Sequence, residues 1–293
     1  MSITDLAVVN EQIQEFWSPT MVDDLKENTL LPGMVNRDYD GDIEKGGDTV
    51  KVSLIRRPTA QRKTTTDPGG NTFNTQALST SQIEIVANQR ISAAYEFEDL
   101  VDLQSQIGDE NSKIRQGLVE ATEIELNNFL YSLVAPSAAT PDHVITGVTD
   151  FNASQLNSTR TLAAQAHWRK QEGWWLLADP VYFGDLLNAT TMTSSDFVPD
   201  APVVAGQIAR QRFGFNILED DSEGLLSLSG SSADAALAFH EDFLALVMQK
   251  MPSLKVSDLH PQGKFGFVIS IDMIVGASLL PDGDLKHITI INS

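Results

Sequence analysis

The apolar positions along this chain change period several times. Leu6, Val9, Ile13 and Phe16 recur at helical spacing and predict an amphipathic helix over 4–17. Ser18-Pro19 reads as an N-cap followed by a first-position proline, so it starts a second helix, which Pro32-Gly33 ends. Two short helices before any strand predict an arm rather than a core. A turn-rich acidic connector follows at Asn36–Asp48. Val50, Val52 and Leu54 then alternate with polar positions and predict a strand that Pro58 ends. Ile83, Ile85 and Ala87 alternate again and predict the returning strand. Between them Thr59–Ser81 is almost wholly polar, with a turn at Asp67-Pro68-Gly69-Gly70. The pattern is a hairpin with a polar tip of about 23 residues, well beyond the usual length of a structureless connection. A tip this polar cannot bury itself on its own subunit. The strong flanking strands favour a tip that lies on another surface over one that waves in solvent.

Arg90–Tyr95 predicts a further short strand, and Phe97, Leu100, Val101 and Ile107 a helical patch. Gly108–Val134 then predicts the longest helix, with Asp109 and Glu110 at its start and Pro136 just past its end. At 1.5 Å per residue it spans roughly 39 Å. Ile114, Leu118 and Ala121 share one face. Leu126, Phe129, Leu130 and Leu133 share another, turned by about 100°. Such a helix leans on different neighbours at its two ends. Two readings follow: a long core helix of an ordinary domain, or a spine shared by two lobes.

The second half alternates strand and helix. Asn152–Trp168 predicts a helix, and Trp174–Ala178 (WWLLA) a strand buried on both faces. Asp179-Pro180 predicts a helix start. A polar loop at 190–205, a short helix at Gly206–Phe213 and a strand at Phe215–Leu218 follow. Ala235–Phe239 and Phe243–Met248 are apolar segments around His240. Phe265–Leu280 and His287–Ile291, separated by the turn Pro281-Asp282-Gly283-Asp284, predict a C-terminal hairpin packed on the long helix. The fold class is α+β.

Composition narrows the function. The 293 residues suffice for one large domain or two ordinary ones, and 42% hydrophobic content makes them globular. No apolar run approaches the length of a transmembrane helix, and the N-terminus lacks the marks of a signal peptide. Zero cysteines excludes disulfides, thiolate metal sites and cysteine nucleophiles. Forty acids against twenty bases give a net charge of −20, which disfavours sequence-specific nucleic-acid binding.

Candidate chemistry is sparse. His240-Glu241 starts a zinc-protease motif, but Leu244 stands where the second ligand belongs. Asn36-Arg37-Asp38-Tyr39-Asp40-Gly41 matches half of a calcium loop, but Gly47 replaces the bidentate glutamate. There is no nucleophile elbow and no phosphate loop. No catalytic residue, metal site or cofactor is expected. Arg56, Arg57, Arg62 and Lys63 form the one basic cluster, on the hairpin. It reads as a charged edge that discourages aggregation, or as a finger that meets acids on a neighbouring copy, and the two are compatible.

The order of elements, together with Leu25-Lys26-Glu27-Asn28-Thr29, Asn36-Arg37-Asp38-Tyr39, Gly47-Asp48-Thr49-Val50-Lys51-Val52, Gly214-Phe215-Asn216-Ile217, Ala238-Phe239-His240-Glu241-Asp242-Phe243 and Ile274-Val275-Gly276-Ala277, resembles the major capsid (coat) protein of tailed bacteriophages, the Hong Kong 97 fold. The resemblance covers essentially the whole chain. It implies an N-terminal arm (1–47), an extended loop (48–88), a peripheral domain (89–144, spine helix 109–134), an axial domain (145–255) and C-terminal strands of the peripheral domain (256–293). It implies a non-enzymatic shell subunit, found in the virion and in the host cytoplasm during assembly. The partners implied are further copies in hexamers and pentamers, a separate scaffolding protein, a portal and non-specifically held DNA, with no membrane. Arg56, Arg57, Arg62 and Lys63 are the expected intersubunit contacts, with Glu120, Glu123 and Glu125 of the spine as the first acids to meet them. Some relatives cross-link a loop lysine to a neighbour's asparagine. Lys63 is suitably placed, but neither the asparagine nor a catalytic glutamate can be matched. An encapsulin-type nanocompartment shell is the alternative within the fold. A soluble hydrolase or metal-dependent enzyme is the alternative outside it.

Overall fold

The computed structural model describes residues 29–40, 49–66, 72, 75–98, 111–136, 143–168, 173–189, 211–230 and 234–292. The expected helix at 4–17, the part to residue 28 of the helix expected from Ser18 to Pro32-Gly33, the connector at 41–48, the turn at 67–70, the patch at 99–107, the acidic start of the long helix at 109–110, the loop at 190–205 and residues 206–210 of the next expected helix lie outside these residues.

Strands β1 (Thr49–Ile55) and β2 (Thr80–Val86) form the expected hairpin. Their antiparallel register puts Val50 opposite Ile85 and Val52 opposite Ile83, so one face is apolar. Strand β3 (Gln89–Phe97) leads towards α1 (Asn111–Val134), the long helix. Then come β4 (Val144–Ile145), α2 (Ala153–Gln165), β5 (Trp174–Ala178), α3 (Pro180–Asn188), β6 (Gln211–Arg212), β7 (Phe215–Glu219), α4 (Glu223–Leu226), β8 (Ala235–His240), β9 (Leu244–Asp258), β10 (Phe267–Leu279) and β11 (His287–Ile291). The local start signals work as read. Asn152 caps α2 by accepting from the Ser154 amide, and Asp179 caps α3 by accepting from the Tyr182 amide, ahead of Pro180. Burial at that cap pushes the Asp179 carboxyl up to about 6.

Two sheets share the remaining strands. One has order β3-β10-β9 and is antiparallel. The other has order β4-β11-β8-β5-β7-β6, with β5 parallel to β7 and β11 parallel to β4. The six-stranded sheet is covered on both faces. Leu177, Leu237 and Phe239 face one core, while Leu176, Ala178, Ala236 and Ala238 face the other, under Leu156 of α2 and Tyr182 and Leu186 of α3. That is why β5 and β8 read as unbroken apolar runs.

Helix α1 joins the two sheets. Its first half lays Ile114 and Leu118 on Ile269 and Ile271 of the three-stranded sheet. Its second half puts Leu126, Leu130, Tyr131 and Val134 into the core that also holds Leu225, Leu237 and Phe239. The two halves of α1 thus meet different sheets, and on the first face Ala121 is exposed while Thr122 is buried in its place.

Two expectations fail. The C-terminal strands do not form a hairpin. β10 pairs with β9 and β3, whereas β11 crosses into the six-stranded sheet between β4 and β8. The reason lies in β9, which pairs with β10 from Leu244 opposite Leu279 to Asp258 opposite Phe267 and so takes that edge, with Leu244–Val247 buried and its outer half exposed. So β11, expected among peripheral strands at 256–293, stands beside strands of the expected axial segment. Second, Gln211–Arg212 is a short strand paired with β7 rather than the end of a helix, because Gly214 at φ +94° turns the chain back on itself.

The joint between α1 and the six-stranded sheet is polar at its centre. The buried Tyr131 hydroxyl donates to Asp220 at 2.5 Å, and Asp220 also accepts from the Ser222 amide at 3.0 Å. Burial, then the Asp220 charge, holds the Tyr131 phenol well above its ordinary range. Burial also raises the Asp220 carboxyl, against the lowering effect of the Tyr131 hydroxyl. Beside them α4 touches α1 at Gly224, where a Cβ would stand 2.7 Å from Tyr131 Cδ2 and 2.8 Å from Asn128 Oδ1.

Tyr131→Phe removes the donor and leaves a buried carboxylate, so it should lower unfolding stability by roughly 1–3 kcal/mol. Because Asp220 is raised when folded, its protonated form favours the native state. The loss should therefore be smallest in acid and grow as pH rises above about 4. Chemical denaturation from pH 4 to 8 checks both the size and the slope.

Candidate functional site

The hairpin is rooted on its own chain. Val50, Ile85 and Ala87 pack with Ala245, Val247 and Leu280 in a small separate core. The root crosses β10 backbone to backbone at Gly276, where a Cβ would lie 2.4 Å from the Val86 carbonyl oxygen. Arg56 donates two hydrogen bonds to Asp282, each 2.7 Å. Asp282 sits at φ +64° in the turn between β10 and β11. Arg56 was expected to reach a neighbouring copy. Here its guanidinium meets an acid 226 residues away in its own chain, a pairing that only the close approach of hairpin and turn creates.

Beyond the root the described part of the tip is extended but not loose. Gln76 clasps Thr59 in both directions, accepting from its amide at 2.9 Å and donating to its carbonyl at 3.1 Å. Lys63 donates to the Thr72 carbonyl at 2.9 Å and to its hydroxyl at 3.2 Å. The two arms thus run side by side past the end of the strands. Arg57, Arg62 and Lys63 are all exposed on this outer half, with Ile55 63% and Leu78 74% exposed among them.

The three expected acids on α1 do not form one patch. At 100° per residue Glu123 and Glu125 point about 200° apart. Glu120 is half-buried and accepts from Gln116 Nε2 at 2.8 Å. It stands on the helix ridge that continues through Ile124 to Asn128 and Tyr131. That ridge carries α4, and Glu219, Asp221 and Glu223 are exposed around it. Sequence reasoning missed this shoulder. Its one signal was the acidic run Glu219-Asp220-Asp221-Ser222-Glu223, which carries no hint that the segment docks on the spine helix.

The sparse chemical motifs have structural roles. Asn36 bridges to β9, with its amide donating to Leu244 and its carbonyl accepting from Leu246, and its side chain donates to Asp242 at 3.2 Å. Asp40 accepts from the Met248 amide and from Arg37. His240 is buried, accepts from the Asp242 amide at Nδ1 and meets Trp168 edge to face. Two clefts among the described residues, of about 290 and 480 Å³, are lined by Arg160, Trp174, Phe213 and Gly214, and by Glu96, Phe97, Glu98, Lys264 and Phe265. Neither lining brings a nucleophile against a general base. Among the described residues no helix is long and apolar enough to cross a membrane.

On the sheet face opposite α1, Asp272 accepts from Lys250 and, at 2.8 Å, from Arg90. Each of the three strands contributes one member. The hydrogen bond from Lys250, then that from Arg90, pulls the Asp272 carboxyl down to about 2.

Comparison with solved structures gives this architecture a class. A structure of Mycobacterium phage Che8 superposes with TM-score 0.77 at 18% identity, covering 95% of this chain and 96% of that one. The capsid asymmetric unit of cyanophage Pam1 superposes with TM-score 0.73 at 14% identity, covering 99% and 98%. The head structure of Helicobacter pylori bacteriophage KHP40 gives 0.72 at 7% identity, again covering 99% and 98%. No protein-family model and no curated protein matches the chain. The chain has the α+β fold of phage capsid structures, end to end.

Two outcomes follow from the site's electrostatics. Asp282→Asn should loosen the hairpin root, seen as several-fold faster limited proteolysis within 56–79, with little change in global melting. Asp272 is depressed when folded, so the stability it lends is complete above about pH 4 and is lost as pH falls through about 2. Melting curves of Asp272→Asn should therefore show lower stability at neutral pH and a flatter decline below pH 4.

Proposed function

We propose that this chain is the major capsid protein of a tailed bacteriophage, which self-assembles into an icosahedral shell around the packaged double-stranded DNA genome. The observation that carries the reading is the whole-chain agreement with phage capsid and head structures, which covers 95–99% of this chain. The physical design supports it. The hairpin is fixed at its root while its outer half stays exposed, cationic and partly apolar, as a contact meant for a neighbour would be. A shell repeats each modest contact many times, so no single contact has to be strong. The charge of −20 keeps subunits soluble at high concentration and limits adhesion to DNA.

In this reading the chain divides into arm (1–47), extended loop (48–88), peripheral domain (89–144 and much of 256–293) and axial domain (145–255 joined by β11). Copies meet as hexamers and pentamers in the virion, after assembly in the host cytoplasm with a separate scaffolding protein and a portal. Arg57, Arg62 and Lys63 reach the neighbour, while Arg56 sets the root angle. The subunit is structural and catalyses nothing.

Expression followed by size-exclusion chromatography and negative-stain imaging tests this. Closed particles, alone or with a co-expressed scaffolding protein, are expected. A stable monomer under every condition overturns the shell reading. Particles that hold a cargo enzyme rather than DNA in the infected cell would mark a nanocompartment instead.

A further inference from the structure

The six-stranded sheet and its helices are strongly acidic. Among the described residues, the stretches that build them (143–168, 173–189, 211–230, 234–247 and 280–292) contain twelve acids, and their only bases are Arg160, Arg212 and Lys286. Lys286 is held within the chain, donating to the Asp242 carbonyl at 3.1 Å. Arg160 is exposed on α2, and its guanidinium forms no hydrogen bond or ion pair with a described residue. It lines the smaller of the two clefts, about 290 Å³, together with Trp174, Phe213 and Gly214. The floor of this cleft is rigid. Trp174 meets Trp168 edge to face at 5.7 Å and tilts against Phe215 at 5.3 Å. Gly214 lies on its indole, where a Cβ would stand 3.5 Å from Cε3. The wall is strained. A two-residue turn, Phe213-Gly214, joins β6 to β7 with φ of +52° and +94°. Turns of this kind favour asparagine, aspartate or glycine at the first central position, and a bulky residue there is an outlier. Phe213 holds the position and leaves its ring 40% exposed. An exposed ring on a strained turn does not stabilise the fold, and strain kept in this way points to a contact.

We infer that the cleft of Arg160, Trp174 and Phe213 is a peptide-binding site, which takes a segment of a partner protein that sets a carboxylate beside an aromatic side chain. The lining selects that chemistry. The Arg160 guanidinium donates to a carboxylate in a forked pair. The Phe213 ring and the Trp174 indole offer a flat apolar side chain aromatic contact. A volume of about 290 Å³ admits one large side chain and falls at the lower end for a free small-molecule ligand. Arg160 and Phe213 are themselves exposed, so a segment that runs on past the cleft gains contacts that a free small molecule lacks. Charge argues against nucleic acid. A strand would bring a run of phosphates to surroundings with twelve acids and three bases, whereas a single carboxylate meets the one cation of the lining. The site needs only α2 and the folded six-stranded sheet, so it stands independently of the shell reading.

Saturation-transfer NMR on the full chain tests the site, because it reads ligand signals whether the chain is a subunit or a particle. The probe is the blocked peptide acetyl-Gly-Asp-Phe-Gly-amide. The controls are the same peptide with Asn for Asp or Ala for Phe, free phenylacetate, and a single-stranded oligothymidylate. The probe should bind at least about five-fold more tightly than each control. Arg160→Gln should weaken it by a similar factor and erase the preference for Asp over Asn. Phe213→Asn should weaken it as much, yet melt at the wild-type temperature or above, because asparagine suits the turn. A probe that binds no better than its Asn and Ala controls overturns the inference, and so does either variant that binds as wild type does. Equal or tighter binding of phenylacetate makes the cleft a small-molecule site, and equal or tighter binding of the oligonucleotide makes it a nucleic-acid site. Either outcome rejects the peptide. A Phe213→Asn chain that melts well below wild type shows that the ring serves the fold, which also overturns the inference.

Discussion

Helix α1 carries two apolar faces turned about 100° from each other, and one flat sheet cannot bury both. Each half therefore takes its own sheet, and the helix becomes the part that fixes how the two sheets stand to one another. Ile114 and Leu118 hold the three-stranded sheet, and Leu126, Leu130 and Val134 hold the core under the six-stranded one. The other joints depend on that arrangement. The Tyr131–Asp220 hydrogen bond, the close seat of Gly224 and the packing of Leu244 and Leu246 of β9 in the same core all serve to keep the second half of α1 in one rotation and one register.

The hairpin shows a second constraint, one of placement rather than burial. Its root is pinned by a small apolar core, by a backbone contact that only Gly276 permits, and by the forked Arg56–Asp282 pair. An exposed ion pair contributes little stability on average, but a bidentate one restricts direction strongly. The outer half then leaves the root in a set direction. A projecting element is useful for assembly only when its angle is reproducible, and the root supplies that angle.

Much of the architecture was legible because it is local. The alternation around Val50 and Ile85, the capping pairs Asn152 and Asp179-Pro180, and the doubly buried WWLLA run each state their environment within a few residues. The basic cluster was visible as a cluster, yet one of its members, Arg56, turned out to be the root's anchor. Glu120, Glu123 and Glu125 were legible as acids of the long helix, whereas the acids Glu219, Asp221 and Glu223 come beside that helix from a segment almost a hundred residues later.

The sequence by itself determined most of the longer strands and helices and two of the caps, the two apolar faces of the long helix, and the basic cluster on the hairpin. These depend on periodicity and on neighbours in the chain, so the order of residues carries them. Only the tertiary structure decided that β11 leaves β10 for the six-stranded sheet, that Arg56 belongs to Asp282, and that Glu219, Asp221 and Glu223 stand beside the spine. Those facts depend on which edges β9 had already taken and on which backbones could approach at Gly224 and Gly276. Such competition between distant segments for the same surface leaves no period in the sequence.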